Sequence, residues 1–340
     1  MKPDFRLECE GADITARLRD RLLELRVIDE AGVASDRLEI TLDDRDHLIP
    51  LPASNAELKV WLGYQPPGPT PAYMGSYKVD DIGLSSGPRS VSIRAKAAEL
   101  AGGYREPKTR DWHGKTIGDI VAKIAAEHGF TPLVSASLAG INAGHVDQAE
   151  ESDAGLLTRL AGMYDAVAKP ADGKLLFVKR GEGAVDATSD TGSSSASGSR
   201  IALRPTDVTR WSVTLSERGA YAAVTARYQD HATGETKSVT VGGGGDGERY
   251  QERAPYTSKD VAERAAAARH ADLTRGKVSG SIELPGNPAI YAECVIVLDG
   301  FREQVNGEYS GKTVTHSYTS SGYTTSVEFE TRMQSEGNDQ

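Results

Sequence analysis

The sequence predicts an α+β protein, mainly β. Two strand-rich regions flank a small α/β unit, and one Ala-rich helix lies near the second region. Three observations carry this reading. Alternating apolar and polar residues, punctuated by Gly, Pro and Ser turns, fill residues 1–105 and 201–332. Between 106 and 185 the apolar period becomes helical. A stretch at 56–97 reappears in outline at 292–331.

The first region opens with "LLELRVIDE" (22–30) and "DRLEITLDDRD" (36–46), which alternate around a turn at Gly32. "AELKVWLGY" (56–64) continues the alternation through Leu58, Val60 and Leu62. A Pro-rich loop at 65–71 precedes "YMGSYKVDDIGL" (73–84) and "RSVSIRAKA" (89–97). Strands at this spacing fit an antiparallel barrel or sandwich.

The middle unit begins with "KTIGDIVAKIAAEHGF", where Ile117, Ile120, Val121 and Ile124 share a helical face. Thr116 and Asp119 have capping-box spacing and Gly129 is a stop. "HVDQAEESDAGLLTRLAGMYDA" (145–166) supplies a second helix, with Leu157, Leu160, Ala161 and Tyr164 on one face. A turn at Asp172-Gly173 then feeds the strand "KLLFVKRG". Residues 186–200 are rich in Ser and Gly, too poor in apolar groups to order themselves, and read as a linker or loop.

Strands return at "VTRWSVTLSE" (208–217) and "YAAVTARYQD" (221–230). A glycine-rich turn at 241–250 leads to the Ala-rich helix, about 258–275, capped by Thr257 or Ser258. More strands run to 330, and 333–340 is a tail. In the repeat, each copy has an alternating strand opened by Ala-Glu (Ala56-Glu57, Ala292-Glu293) and closed near Gly63-Tyr64 or Gly300-Phe301. A Gly-x-Tyr follows (Gly75–Tyr77, Gly307–Tyr309), then a strand, a Ser-Ser-Gly turn (85–87, 320–322) and a last strand.

Net charge is −10 and pI about 5.3, which disfavours gripping nucleic-acid phosphates. Cys9 and Cys294 stand apart, in no zinc or disulfide-scaffold spacing, so folding in a reducing cytoplasm is expected. The first 20 residues lack the apolar run of a signal peptide, and no stretch is apolar for long enough to span a bilayer.

The densest acidic point is Glu150, Glu151 and Asp153 around Ser152, with His145 and Asp147 upstream. A glycosidase would need two carboxyl groups across a cleft, one of them with a raised pKa. A helix start needs the same residues: Ser152 as N-cap, with acids at the positive end of the helix dipole. The polar-to-apolar switch at Ala154 favours the helix start. "DDRDH" (43–47) lacks the calcium-loop spacing, and the seven histidines form no metal motif. The glycine run 242–245 lacks a phosphate-loop Lys, and Ser193–Ser195 sit in no nucleophile elbow. No catalytic, cofactor-binding or metal residue is assigned.

The order "LEITLDDRD", "LKVWLGY", "KTIGDIVAKIAAEHGF", "VDQAEESDAGLLTRLAGMYDA", "KLLFVKRG" and "GFREQVNGEYSGKTVTHSYTSSGYTTSVEFE" resembles the phage late control gene D protein family, the hub of contractile-tail baseplates. The resemblance spans residues 5–332. Its most specific positions are Gln148, Glu151, Ser152, Asp153, Leu157 and Leu160, and Asn306, Gly307, Tyr309, His316, Gly322 and Tyr323. It implies two tube-like antiparallel β-barrel domains per chain. It also implies a homotrimer, so that six barrels meet a six-fold tail tube while three-fold symmetry meets the central spike. The partners implied are a second and third copy, the tail spike, the tail tube, and at the margins the tape measure and baseplate wedge proteins. DNA would be passing cargo and no cofactor is expected. Assembly in the host cytoplasm and residence in a virion or tail-like particle follow. Two alternatives stand beside it: a tail-associated cell-wall-degrading enzyme using Glu150, Glu151 and Asp153, and a hub or spike component of a type VI-like secretion system.

Overall fold

A computed structural model of the chain describes residues 1–31, 36–68, 70–97, 103–144, 146–171, 173–180, 200–216, 221–230, 233–243, 248–275 and 278–331. The expected linker short of Arg200, the 333–340 tail, Gly32, His145, Asp172, Ser193–Ser195, His231 and Gly244-Gly245 lie outside the described residues.

Period-two alternation builds the first region. It contains β1 (Pro3–Cys9), β2 (Ala12–Asp13), a one-turn helix α1 (Thr15–Leu18), β3 (Leu22–Glu30), β4 (Arg37–Asp43), β5 (Glu57–Tyr64), β6 (Ala72–Ser86) and β7 (Arg89–Ala97). Their spatial order is β3-β4-β7-β6-β5-β1, all antiparallel. Leu25 and Val27 of β3 and Phe5 and Leu7 of β1 line one core with Leu38, Ile40, Leu58, Val60 and Ile93. Strands at opposite ends of the row share that core, so the sheet curls around it.

The middle unit has β8 (Pro107–Asp111), α2 (Ile117–Glu127), β9 (Thr131–Val134), α3 (Ala136–Ala139), β10 (Asp147–Ser152), α4 (Asp153–Tyr164), β11 (Ala166–Ala171) and β12 (Lys174–Lys179). The α2 cap is a full capping box: Asp119 N–H donates to Thr116 Oγ1 at 3.1 Å and Thr116 N–H donates to Asp119 Oδ2 at 3.0 Å. Ile120, Val121 and Ile124 meet Leu156, Leu157 and Leu160 over Leu175 and Phe177 in a second core.

The last region contains β13 (Arg200–Leu203), β14 (Arg210–Leu215), β15 (Ala223–Gln229), β16 (Thr236–Gly242), β17 (Arg249–Gln251), α5 (Lys259–Arg275), β18 (Val278–Pro285), β19 (Val295–Leu298), β20 (Gly307–Thr319) and β21 (Gly322–Thr331). Six of these strands form a row β14-β18-β21-β20-β19-β13 over a core of Ile282, Leu284, Ile296, Val314, Val327 and Phe329. The sequence-expected strands at 208–217 and 221–230 part company here. β14 joins the row, whereas β15 forms a separate sheet with β16 and β17, backed by Ala262 and Ala266 of α5. Alanines on α5 let the helix lie close to β15 and also against α4.

The repeat is deeper than the sequence indicates. Both six-stranded rows have the same order in space and along the chain, with β1, β3, β4, β5, β6 and β7 matched by β13, β14, β18, β19, β20 and β21. One orientation differs, since β1 runs antiparallel to β5 and β13 parallel to β19. Details recur as well. Gly75 and Gly307 both take positive φ (129° and 155°), a region open to glycine. Two residues on, Tyr77 Oη donates to Met74 O at 2.9 Å and Tyr309 Oη to Val305 O at 2.8 Å. The β6/β7 ladder bulges between Val79 and Asp81, and the β20/β21 ladder between Gly311 and Thr313, the same steps past the tyrosine. The Ala-Glu match is off by two residues. Leu58 faces Tyr77 and Ile296 faces Tyr309, which aligns Ala56 with Cys294 and not with Ala292. A slip of two keeps every side chain on its face.

The two rows are not separate sheets. Thr313–Thr319 of β20 pair antiparallel with Glu24–Glu30 of β3, making one continuous sheet across both regions.

Candidate functional site

The acidic stretch at 150–153 resolves into three different situations. Ser152 is the α4 N-cap, its Oγ accepting from Gly155 N–H at 3.0 Å. Glu150 is exposed at a bulge between Gln148 and Glu151, with φ of 48°. Glu151 binds Arg159 at 2.7 Å. Asp153 is wholly buried and accepts from Lys108 Nζ at 2.7 Å, His128 Nε2 at 2.8 Å and Gln148 Nε2 at 2.9 Å, and from the Arg110 guanidinium. Burial alone would raise its carboxyl, yet the bonds from His128, Lys108 and Gln148, with Arg110 beside them, bring it down to about 2. A general acid needs the opposite shift.

Gln148, also fully buried, makes every bond its amide can make. Its oxygen accepts from Arg110 Nε (3.2 Å) and Trp112 Nε1 (3.1 Å), and its nitrogen donates to Glu151 O (2.8 Å) and Asp153 Oδ1. Ligand atoms of Glu127, His128 and Asp153 lie within 4.8 Å of one another. Lys108 and Arg110 already hold Glu127, at 3.1 Å and 2.7 Å, so their positive charges occupy the place of a cation. Leu157 and Leu160 lie in the core beneath. The cluster clamps β8, β10 and the end of α2 to the start of α4.

A second buried constellation sits where the two rows meet. His316 Nε2 donates to Ile290 O at 3.0 Å, which leaves the lone pair on Nδ1 to accept from Tyr323 Oη at 2.9 Å, with Thr325 Oγ1 3.1 Å from the same nitrogen. Burial pushes the imidazole down to about 4, so it is neutral. The Tyr323 ring packs on Tyr64 of β5, whose hydroxyl donates to Gly286 O at 2.8 Å. A Cβ on Gly286 would come within 2.1 Å of the Tyr323 ring, so this position is closed to larger residues. Asn306 Oδ1 accepts from Phe301 N–H at 2.8 Å and shapes the loop before Gly307 and Tyr309. Gly322 opens β21 with φ of 149°. The family-motif positions therefore fall into two groups, one under α4 and one in the β20/β21 hairpin and its seam.

Lys169 joins all three parts. Its Nζ lies 3.2 Å from Asp29 Oδ1 and 3.5 Å from Asp36 Oδ1, and donates to Glu30 O at 3.1 Å. Asp29 Oδ2 accepts from Ala292 N–H at 2.8 Å. Burial would lower the ammonium, but Asp29 and Asp36 outweigh it and hold Lys169 above its ordinary value. Burial pushes Asp36 up to about 7 despite Lys169. Lys169, Asp29, Lys108 and Arg110 were not singled out in the sequence. Lys108 and Arg110 carried a signal, since charges two apart in a strand share a face.

The face of the continuous sheet opposite the cores is polar. It carries Thr313, Thr315 and Ser317 of β20, Thr324 and Ser326 of β21, and Ser279 and Ser281 of β18, each alternating with core residues. It also carries Glu283 and Glu328, and some of its charges are paired, as in Arg26–Glu39 (3.4 Å) and Arg94–Asp81 (3.4 Å). The acids of the 43–47 loop are paired too, Asp46 with Arg21 at 2.7 Å and Asp44 with His47 at 3.3 Å. A cleft of about 400 Å³ between α4 and α5 is lined by Arg159, Arg180 and Arg269 and by Asp165, Glu252 and Asp272, charges that offset one another. No helix among the described residues is long and apolar enough to cross a membrane.

Comparison with known proteins places this arrangement. Residues 79–322 match the family described as phage tail baseplate hub (GPD). The chain is similar to the probable baseplate hub protein of Escherichia phage P2, 31% identical over 376 aligned positions that cover 98% of this chain and 94% of that one. Its fold is similar to that of the 43 kDa tail protein of prophage MuSo2 from Shewanella oneidensis, with a TM-score of 0.70 at 12% identity over 96% of this chain and 97% of that one. A type VI secretion system component of E. coli shares the fold at a TM-score of 0.53 and 13% identity, over 98% of this chain and 78% of that one.

Proposed function

Since the chain belongs to the phage tail baseplate hub family, we propose that it acts as a homotrimeric, pseudo-six-fold adaptor of a contractile tail, joining the tail tube to the central spike and lining the channel between them. The observation that carries this reading is the doubled six-stranded row, joined edge to edge within one chain. Three such chains would offer six similar units to a six-fold tube and keep a three-fold axis for the spike. The hydroxyl-rich face, with Glu283 and Glu328 on it and a net charge of −10 for the chain, suits a wall past which DNA or a tape protein slides without adhering.

The protein works by assembly and not by catalysis. Of the acids that a cell-wall hydrolase would use, Asp153 is held near 2 by cations, Glu151 is bound to Arg159 and Glu150 projects from a bulge. The fold alone is shared with a secretion-system component, whereas the close sequence relative is a phage hub, which favours a phage or phage-derived tail. Assembly in the host cytoplasm would precede incorporation into the baseplate. Native mass of the purified chain over a concentration series, alone and with the neighbouring spike protein, tests the reading. A trimer in either condition supports it. A monomer indifferent to the spike at high concentration, or cell-wall lysis lost in Glu150→Gln or Asp153→Asn, would contradict it.

A further inference from the structure

The small sheet of β15, β16 and β17 has one covered face and one open face. Val224 and Ala226 pack on Ala262 and Ala266 of α5, with Val239 and Val241 beside them. The alternate residues face away. They are Thr225, Arg227 and Gln229 of β15, Thr236, Ser238 and Thr240 of β16, and Arg249 and Gln251 of β17. No described helix or strand is packed over them, and those on β16 and β17 are exposed.

This face differs in charge from the rest of the molecule. Acids outnumber bases in the chain, 49 to 39, yet these positions carry only hydroxyls, amides and guanidiniums. A cavity of about 360 Å³ lies on the face, lined by Thr225, Arg227, Thr236, Ser238, Arg249 and Gln251 together with Lys237 and Tyr250. Lys237 is already paired with Asp230, whereas neither arginine has an acid. Arg249 makes no side-chain hydrogen bond or ion pair among the described residues. Arg227 is anchored through Nη2, which donates to Arg253 O at 2.7 Å, while its Nε is buried without a partner. A half-buried guanidinium with no counter-charge costs stability, and a carboxylate set against it offsets that cost.

We propose that this face docks an acidic segment of a partner protein, whose Asp or Glu carboxylates are taken by Arg227 and Arg249 while the Thr and Ser hydroxyls donate to them. Arg249 stands level with Ala223, four residues along β15 from Arg227. That is about 13 Å of strand, so the two guanidiniums suit acids spaced along one segment better than a single small anion. Two guanidiniums release too few counterions to hold a nucleic-acid duplex, and the net charge of −10 opposes one. The site adds to the hub reading a contact of defined chemistry, and it rests on neither the trimer nor the spike.

The probe is a fluorescein-labelled oligoglutamate peptide, titrated into the full-length protein at low salt and read by fluorescence anisotropy. Arg227→Gln and Arg249→Gln should each weaken binding about tenfold, whereas Arg45→Gln, on an arginine already held by Asp20, should not. Arg249 is exposed, so its variant reads binding without disturbing the fold. Ser238 stands opposite Arg227 in the β15/β16 ladder, so Ser238→Asp supplies the missing acid from within. It should have a higher thermal midpoint than Ser238→Asn, lose that advantage when combined with Arg227→Gln, and bind the peptide about tenfold more weakly than the wild type. Peptide binding that is absent, or indifferent to Arg227 and Arg249, overturns the proposal, as does equal stability of the Asp and Asn variants. Inorganic phosphate or a short DNA duplex binding in place of the peptide, with the same dependence on both arginines, also overturns it by making the face a phosphate site.

Discussion

At the scale of residues, two buried polar groups hold the structure for opposite electrostatic reasons. Asp153 is a carboxylate kept charged by Lys108, Arg110 and His128. Asp153→Asn would leave the Lys108 and Arg110 cations facing a neutral amide, a loss of about 3–5 kcal/mol. Glu150→Gln, on an exposed bulge, should change stability by less than about 0.5 kcal/mol. Urea unfolding of the two variants checks the contrast, and equal effects would refute it. His316 is an imidazole kept neutral, with its pKa lowered from 6.5 to about 4. Between those values the unfolded chain binds a proton that the folded chain refuses, so stability falls as pH drops through that window. The advantage of the wild type over His316→Gln should shrink by roughly 3 kcal/mol between pH 7 and pH 4. Denaturant midpoints across that range decide it, and a constant difference would mean that His316 does not titrate as described.

Elements depend on a few such ties between units. Lys169 on β11 is the cation between Asp29 and Asp36 of the first row, and Asp29 also holds Ala292 of the second. Lys169→Met should cost about 3–5 kcal/mol by leaving those carboxylates unmatched. Adding Asp29→Asn should recover part of that loss, and strict additivity of the two variants would argue against the tie. Local order was legible in the sequence wherever one rule acted alone. The Thr116/Asp119 capping box, the Leu157/Leu160/Tyr164 face and the Ser152 cap all appear as read. Alternation likewise revealed β3 to β7 and β18 to β21, with the Gly-x-Tyr repeat among them. Pairing partners were not legible, because alternation names a strand's faces and says nothing about which edge it joins. β14 and β15, consecutive strands of one region in the sequence, belong to different sheets. The destination of Asp153 was hidden for a related reason: its hydrogen-bond donors on β8 and at the α2 terminus are 25 to 45 residues away in sequence.

For the whole molecule, the proposed trimer would arrange the doubled row and its edge-to-edge joint as a ring of similar units around a polar wall. The most direct measurement of the central claim is electron microscopy of the purified oligomer seen end-on, with its rotational symmetry read from class averages. The account predicts six similar lobes around an opening, alternating in detail so that the true symmetry is three-fold. Rings with two-, four- or five-fold symmetry, or a particle without a central opening, would contradict it.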